Sequence, residues 1–154
     1  MKTHSATPLE TFRTIGNKLY VRDNIEQVEK ETDEGTNISY TADEYILPTN
    51  PSSDDFPNEE LATMWWRQSA SLSRRKFKIG EAVYKVNGTP LVELIEALLS
   101  GLPEPQKTVA SISYNESNTF DRLDAFVVQF GQALEMSEEE VDEFFKFCKD
   151  EAWK

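Results

Sequence analysis

Residues 18–29, KLYVRDNIEQVE, and residues 36–47, TNISYTADEYIL, flank ETDEG at 31–35, and this stretch decides the fold. Leu19, Val21, Ile25 and Val28 recur through the first segment, and Ile38, Tyr40, Tyr45 and Leu47 through the second. Such partial alternation suits strands that bury one face. The polar link between them ends in Gly35, a residue free to take positive φ. The expected result is an N-terminal β-hairpin or small antiparallel sheet. Residues 48–58, PTNPSSDDFPN, hold three prolines among Ser, Asp and Asn and read as a loop between two halves of the chain.

Downstream the period changes from two to about 3.6. A short helix is expected over 59–68, carrying Met64, Trp65 and Trp66. A second helix starts at Ser71 or Ser73 as N-cap and runs to about Val86, with Leu72, Ile79, Val83 and Val86 on one face. Asn87-Gly88 stops it, and Thr89 then caps a third helix with Pro90 in its first turn. In that helix Leu91, Leu94, Ile95, Leu98 and Leu102 make the apolar stripe, and Gly101 with Pro103 ends it. Residues 106–115 fit either strand or helix. From Phe120, the residues Leu123, Val127, Phe130 and Leu134 step by 3, 4, 3 and 4, a helical stripe. Ser137 with Glu140 forms a capping box before a last helix that buries Val141, Phe144, Phe145 and Cys148. The link between the last two helices is short, which predicts an antiparallel pair.

The expected fold class is therefore α+β: the hairpin followed by four to five helices. The expected layout is a polar N-terminal segment at 1–17, hairpin and Pro-rich loop at 18–58, and a helical region at 59–154 that forms one compact domain with the hairpin.

The chain has 154 residues, with 16 Lys+Arg against 28 Asp+Glu, a formal charge of −12. At 38 % apolar and 11 % aromatic residues it is too hydrophobic for a disordered chain. One Cys rules out an internal disulfide framework, and one His rules out a multi-histidine metal site. No run approaches the ~18 apolar residues of a membrane span. The first ten residues lack the apolar core of a secretory signal, so synthesis in a host cytoplasm with reduced Cys148 is expected. Asn37, Asn87 and Asn115 match N-x-[ST] by chance on that reading.

Charge is segregated along the chain. Residues 31–61 hold nine acidic side chains and no Lys or Arg, whereas residues 62–92 hold six basic side chains and one acidic. A net charge this negative repels phosphate backbones, so no nucleic-acid partner is expected. Arg74, Arg75, Lys76 and Lys78 form the one basic island, either a solvated helix turn or a contact for an acidic partner.

Catalytic signatures are missing from the sequence: no G-x-G-x-x-G, no Walker-type loop and no C-x-x-C. A calcium loop from Asp33 to Glu44 would place Ile38 where Gly is required. His4 lies in the polar N-terminal segment, where fraying is expected, and Cys148 lies on an apolar helix stripe as a small hydrophobe. No catalytic residue, cofactor or metal is assigned, and the chain is expected to be non-enzymatic. Trp65 and Trp66, with Arg67 beside them, are of types enriched at interfaces, yet adjacent helix positions point about 100° apart. Core packing and an interface both remain open for them. The candidate contact residues are Trp65, Trp66, Arg67, Arg74 and Arg75.

Three segments resemble a family of small proteins encoded beside the tail and tail-tip genes of tailed phages, long-tailed types above all. They are YVRDNIEQVEKETDEGTNISYTADEY from Tyr20, SLSRRKFKIGEAVY from Ser71, and FDRLDAFVVQFGQALEMSEEEVDEFFKFC from Phe120. The resemblance implies a phage accessory or structural protein of the tail or adsorption apparatus, whose partners are other tail proteins and whose final location is the virion. It brings no catalytic residues. An alternative is an intracellular phage protein that binds a host protein or helps tail assembly without entering the particle. No sustained heptads are present, so the isolated chain is expected to be a monomer.

Overall fold

Strand pairing begins earlier in the chain than the hairpin. In the computed structural model, which describes residues 1–32 and 35–150, the segment expected to be merely polar supplies two strands, β1 (Lys2–Ser5) and β2 (Phe12–Ile15). His4, expected to fray, is paired with Thr41. The hairpin strands are β3 (Lys18–Thr32) and β4 (Gly35–Pro48); Asp33 and Glu34 of the expected turn lie outside the described residues. The four strands form one antiparallel sheet in the order β1-β4-β3-β2.

The chain divides into two compact units, Met1–Trp65 and Trp66–Lys154. In the first, Leu19 and Val21 of β3 are fully buried and meet Leu61, with Phe12, Leu47, Phe56 and Trp65 packed around them. Leu61 and Trp65 come from helix α1 (Glu59–Ser69), whose first turn is capped by the Asn58 side chain accepting from the Leu61 amide at 2.9 Å. The division therefore falls inside α1 and not in the Pro-rich loop, because Phe56, Leu61 and Trp65 belong to the strand core. On the opposite sheet face Arg22 donates to Glu44 at 2.9 Å, both nearly buried, and also to the Glu10 carbonyl.

β1 covers β4 at Tyr40–Asp43, and β2 covers β3 at Lys18–Val21. A register shift between Asp23 and Glu26, with Asn24 at φ 50°, bulges β3 where that cover ends. Beyond Tyr40, where β1 ends, the hairpin continues as a two-stranded arm, paired from Val28↔Ser39 to Thr32↔Gly35.

The second unit contains the remaining elements: β5 (Ser71–Ser73), α2 (Arg74–Val83), β6 (Lys85–Val86), β7 (Thr89–Pro90), α3 (Leu91–Gly101), α4 (Gln106–Glu116), β8 (Thr119–Asp121), α5 (Ala125–Ala133) and α6 (Glu138–Asp150). Ser73 caps α2 as expected, its hydroxyl accepting from the Lys76 amide. The helix stops three residues early. Asn87 and Gly88, at φ 51° and 87°, form a type I′ turn between β6 and β7, and that turn demands extended flanks. The buried face of α2 is accordingly Phe77, Gly80 and Glu81, while Val83 is exposed. Thr89 and Pro90 are spent in β7, so α3 begins at Leu91 and buries Leu91, Ile95 and Leu99.

The described residues contain six helices where four to five were expected. The ambiguous segment 106–115 is α4, which buries Tyr114 and leaves Val109 and Ile112 in solvent. Phe120 is not the first residue of a helical stripe: it sits in β8, paired with Leu72 of β5, and Leu123 is exposed. α6 matches its expected residues throughout. The Ser137 amide donates to Glu140 at 2.7 Å, the Glu140 amide donates back to Ser137, and Val141, Phe144, Phe145 and Cys148 are buried. It packs mainly on α2, and it meets α5 where Gly131 approaches Val141.

Phe77 organises this core. Its ring stacks on Phe120 at 4.0 Å between centroids and meets Phe130 and Phe144 edge-on at 6.1 and 5.4 Å. One turn later, Gly80 lets α6 approach: a methyl there would collide with Cys148 Sγ and lie 3.2 Å from its Cβ. Gly80→Ala is expected to cost about 1–3 kcal/mol by overpacking. Urea unfolding of Gly80→Ala, Cys148→Ala and the double variant should show the double variant regaining much of that loss.

Candidate functional site

Three places in the second unit bring polar or exposed apolar groups together. The first is centred on Asp142 of α6, which is nearly buried. Its Oδ2 accepts from Arg67 Nε at 2.8 Å and its Oδ1 from Arg122 Nε at 2.6 Å. Arg122 is 1 % exposed and also donates to the Glu138 carbonyl and carboxylate, at 3.0 and 2.6 Å. Arg67 reaches Glu138 at 3.5 Å and Glu139 at 3.7 Å. The hydrogen bond to Asp142 holds the Arg67 guanidinium above its ordinary pKa. Both oxygens of the buried carboxylate are thus satisfied, and its two guanidiniums have further acceptors on α6. This geometry ties α1 and the segment after β8 to the start of α6.

The second place is Glu81 of α2, 1 % exposed. Its Oε1 accepts from Tyr114 OH at 2.7 Å and faces Lys78 Nζ at 3.2 Å, and Lys78 lies over the Tyr114 ring. Its Oε2 is buried with no hydrogen-bond partner among the described residues. Burial pushes the Glu81 carboxyl up against the opposing pull of Tyr114 and Lys78. The same burial lowers Lys78, and burial with the Glu81 hydrogen bond raises Tyr114. Cys148 is pushed up to about 12, mainly by burial, so its thiol is not a nucleophile near neutral pH. Trios of perturbed groups invite an acid/base reading. At 1 % exposure, however, the Glu81 carboxylate meets no solute, and its half-satisfied state is a strain carried by the core.

The third place is open. Ile95, Leu98, Leu99, Phe126, Phe130 and Ala133 line an apolar cavity of about 140 Å³ among α3, α4 and α5. It shares Leu102, Ala110, Phe126 and Gln129 with a wider groove of about 480 Å³ that extends along Pro105, Val109, Ser113 and Asp124. Val109 in the groove is 63 % exposed, and Leu102 is exposed beside it. Exposed apolar surface around a groove is the chemistry of a protein contact.

The contact residues expected from sequence are distributed differently. Trp65 is half-buried against Phe12, ring centroids 5.4 Å apart, in the first unit. Trp66 is half-buried on the second unit's core, with Lys146 Nζ 5.0 Å from its ring centroid. Arg67 is committed to Asp142. Arg74 and Arg75 are exposed on the first turn of α2. The groove was not legible in advance, since Val109 and Ala110 sit in the segment whose period fitted two structures. Among the described residues no group of His, Cys, Asp and Glu could hold a metal, and no helix is long and apolar enough to cross a membrane. No family model, curated protein or solved structure matches this chain.

Removing the Asp142 carboxylate strands a buried arginine. Asp142→Ala is expected to lose about 3–5 kcal/mol in denaturant unfolding. For Glu81, a folded pKa above 4.5 means that the folded state holds the proton longer than the unfolded state. Its contribution to stability therefore falls as pH rises from 4.5 through the folded pKa. The stability difference between the native chain and Glu81→Gln, followed by thermal unfolding across that window, should shift against the native chain as pH rises.

Proposed function

We propose that this chain is a non-enzymatic accessory or structural protein of the tail or adsorption apparatus of a tailed phage, acting by binding other tail proteins. The tail setting rests on the three resembling segments. The binding mode is carried by one observation, the apolar groove of α3, α4 and α5 with Val109 and Leu102 exposed along it. Large apolar side chains held in water beside a groove cost solvation that a partner's apolar surface would recover. Arg74 and Arg75 remain candidate contacts for an acidic partner, at the end of a helix where cations oppose the helix dipole. Trp65, Trp66 and Arg67 contribute by holding α1, on this reading.

The protein is expected among the peptides of gradient-purified particles of the source phage, at a few or more copies per particle. Val109→Asp should reduce its incorporation without lowering its melting temperature, because Val109 is exposed. Abundance in infected cells with absence from particles would reject the virion reading in favour of an assembly helper or a binder of a host protein.

A further inference from the structure

The arm of β3 and β4 has two outer edges, and they differ in charge. The edge of β3 beyond the β2 cover runs through Asp23, Glu26, Glu29, Lys30 and Glu31. Charged side chains of this kind discourage pairing with another strand. The edge of β4 is covered by β1 only as far as Tyr40. Gly35 to Ser39, GTNIS, then continues with no charged residue and no covering strand among the described residues; Gly35 to Ile38 are exposed and Ser39 is half-buried. Ile38 is 42 % exposed on it. An uncovered, uncharged, β-branched edge is a template for one more strand.

We propose that this edge pairs with the same edge of a second copy, antiparallel about Asn37, to join two arms into a four-stranded sheet. The uncovered stretch fixes the register. With Asn37 opposite its counterpart, Gly35 meets Ser39 and Thr36 meets Ile38 of the other copy, and the pairing ends before Tyr40, where β1 begins. A register centred on Ile38 would drive Tyr40 into the strand that already occupies it. The two Ile38 side chains fall on one face as diagonal neighbours. Because Glu26, Glu29 and Glu31 lie on β3, the acidic strands end up outermost, three strand spacings apart, beyond the roughly 8–10 Å over which salt leaves charges coupled. A basic partner would choose the acidic β3 edge; the neutral β4 edge suits a neutral strand, and the arm itself offers one.

Five residues per edge make a weak contact, with a Kd of about 1 mM. The isolated chain is therefore a monomer at micromolar concentration, and pairing operates where several copies are held together. The pairing does not depend on the tail reading, though such crowding is what that reading would supply. Two copies of charge −12 repel, so the pairing should strengthen with salt.

Sedimentation equilibrium of the native chain from about 10 μM to about 1 mM should show a monomer–dimer equilibrium whose association constant rises by about threefold or more between about 0.02 and 0.5 M NaCl. Under mild oxidation Asn37→Cys should form a disulfide-linked dimer, while Lys30→Cys, its neighbour across the arm, should not. Ile38→Lys should abolish dimerisation with an unchanged circular dichroism spectrum. A chain that stays monomeric across the range, or one that associates less as salt rises, overturns the proposal. So does equal crosslinking of the two cysteine variants. None of these outcomes bears on whether the protein is found in particles, so this proposal and the tail reading fail separately.

Discussion

The ring of Phe77 is a junction in the core of the second unit. It lies flat on Phe120 from β8 and edge-on to Phe130 from α5 and Phe144 from α6, so one α2 residue joins three elements distant in sequence. Each such pair adds about 0.5–1.5 kcal/mol beyond area burial. The arrangement constrains its surroundings. For Phe77 to meet Phe144, α2 and α6 must come close, which is why the next turn of α2 carries Gly80 opposite Cys148. For it to stack on Phe120, β8 must lie beside β5, and their three-residue pairing holds it there.

Two buried carboxylates in the same unit show opposite solutions to one problem. Asp142 is surrounded by two guanidiniums and both its oxygens are used. Glu81 has one oxygen engaged by Tyr114 and Lys78 and the other without a hydrogen-bond partner among the described residues. Low local polarity strengthens the first arrangement and penalises the second. The contrast follows from geometry: the two guanidiniums divide the Asp142 oxygens between them, whereas Tyr114 of α4 and Lys78 of α2 both meet the same oxygen of Glu81.

Elements whose local signals agreed with their packing were legible in the sequence. The hairpin, the Ser73 cap and all of α6, with its Ser137–Glu140 box, follow from short-range chemistry. Elements fixed by distant partners were not. β1 and β2 carry few apolar residues and exist because β3 and β4 offer them edges. Phe120 kept a helical spacing with Val127 and Phe130 although it belongs to a strand, since all three line Phe77's core, Phe120 from β8 and the other two from α5. Asn87-Gly88 admits two readings, helix stop or hairpin turn, and only the extended residues on either side decide between them. Of the candidate contacts, the tryptophans and Arg67 are types that both cores and interfaces use, and Arg67 could not reveal Asp142, 75 residues away, in advance.

The β5–β8 pairing has a kinetic meaning as well. Ser71–Ser73 and Thr119–Asp121 enclose α2, α3 and α4, so their ladder closes a long loop, in contrast to the neighbouring-strand pairings of β2 with β3 and β3 with β4. Loop closure costs entropy before any contact rewards it. A newly made chain thus pairs β2, β3 and β4 in local steps, with β1 joining once β4 is made, while the helical unit must wait for the residues of β8, α5 and α6 before Phe77 has rings to meet. During synthesis the Phe77 ring is left in water until those later residues are made.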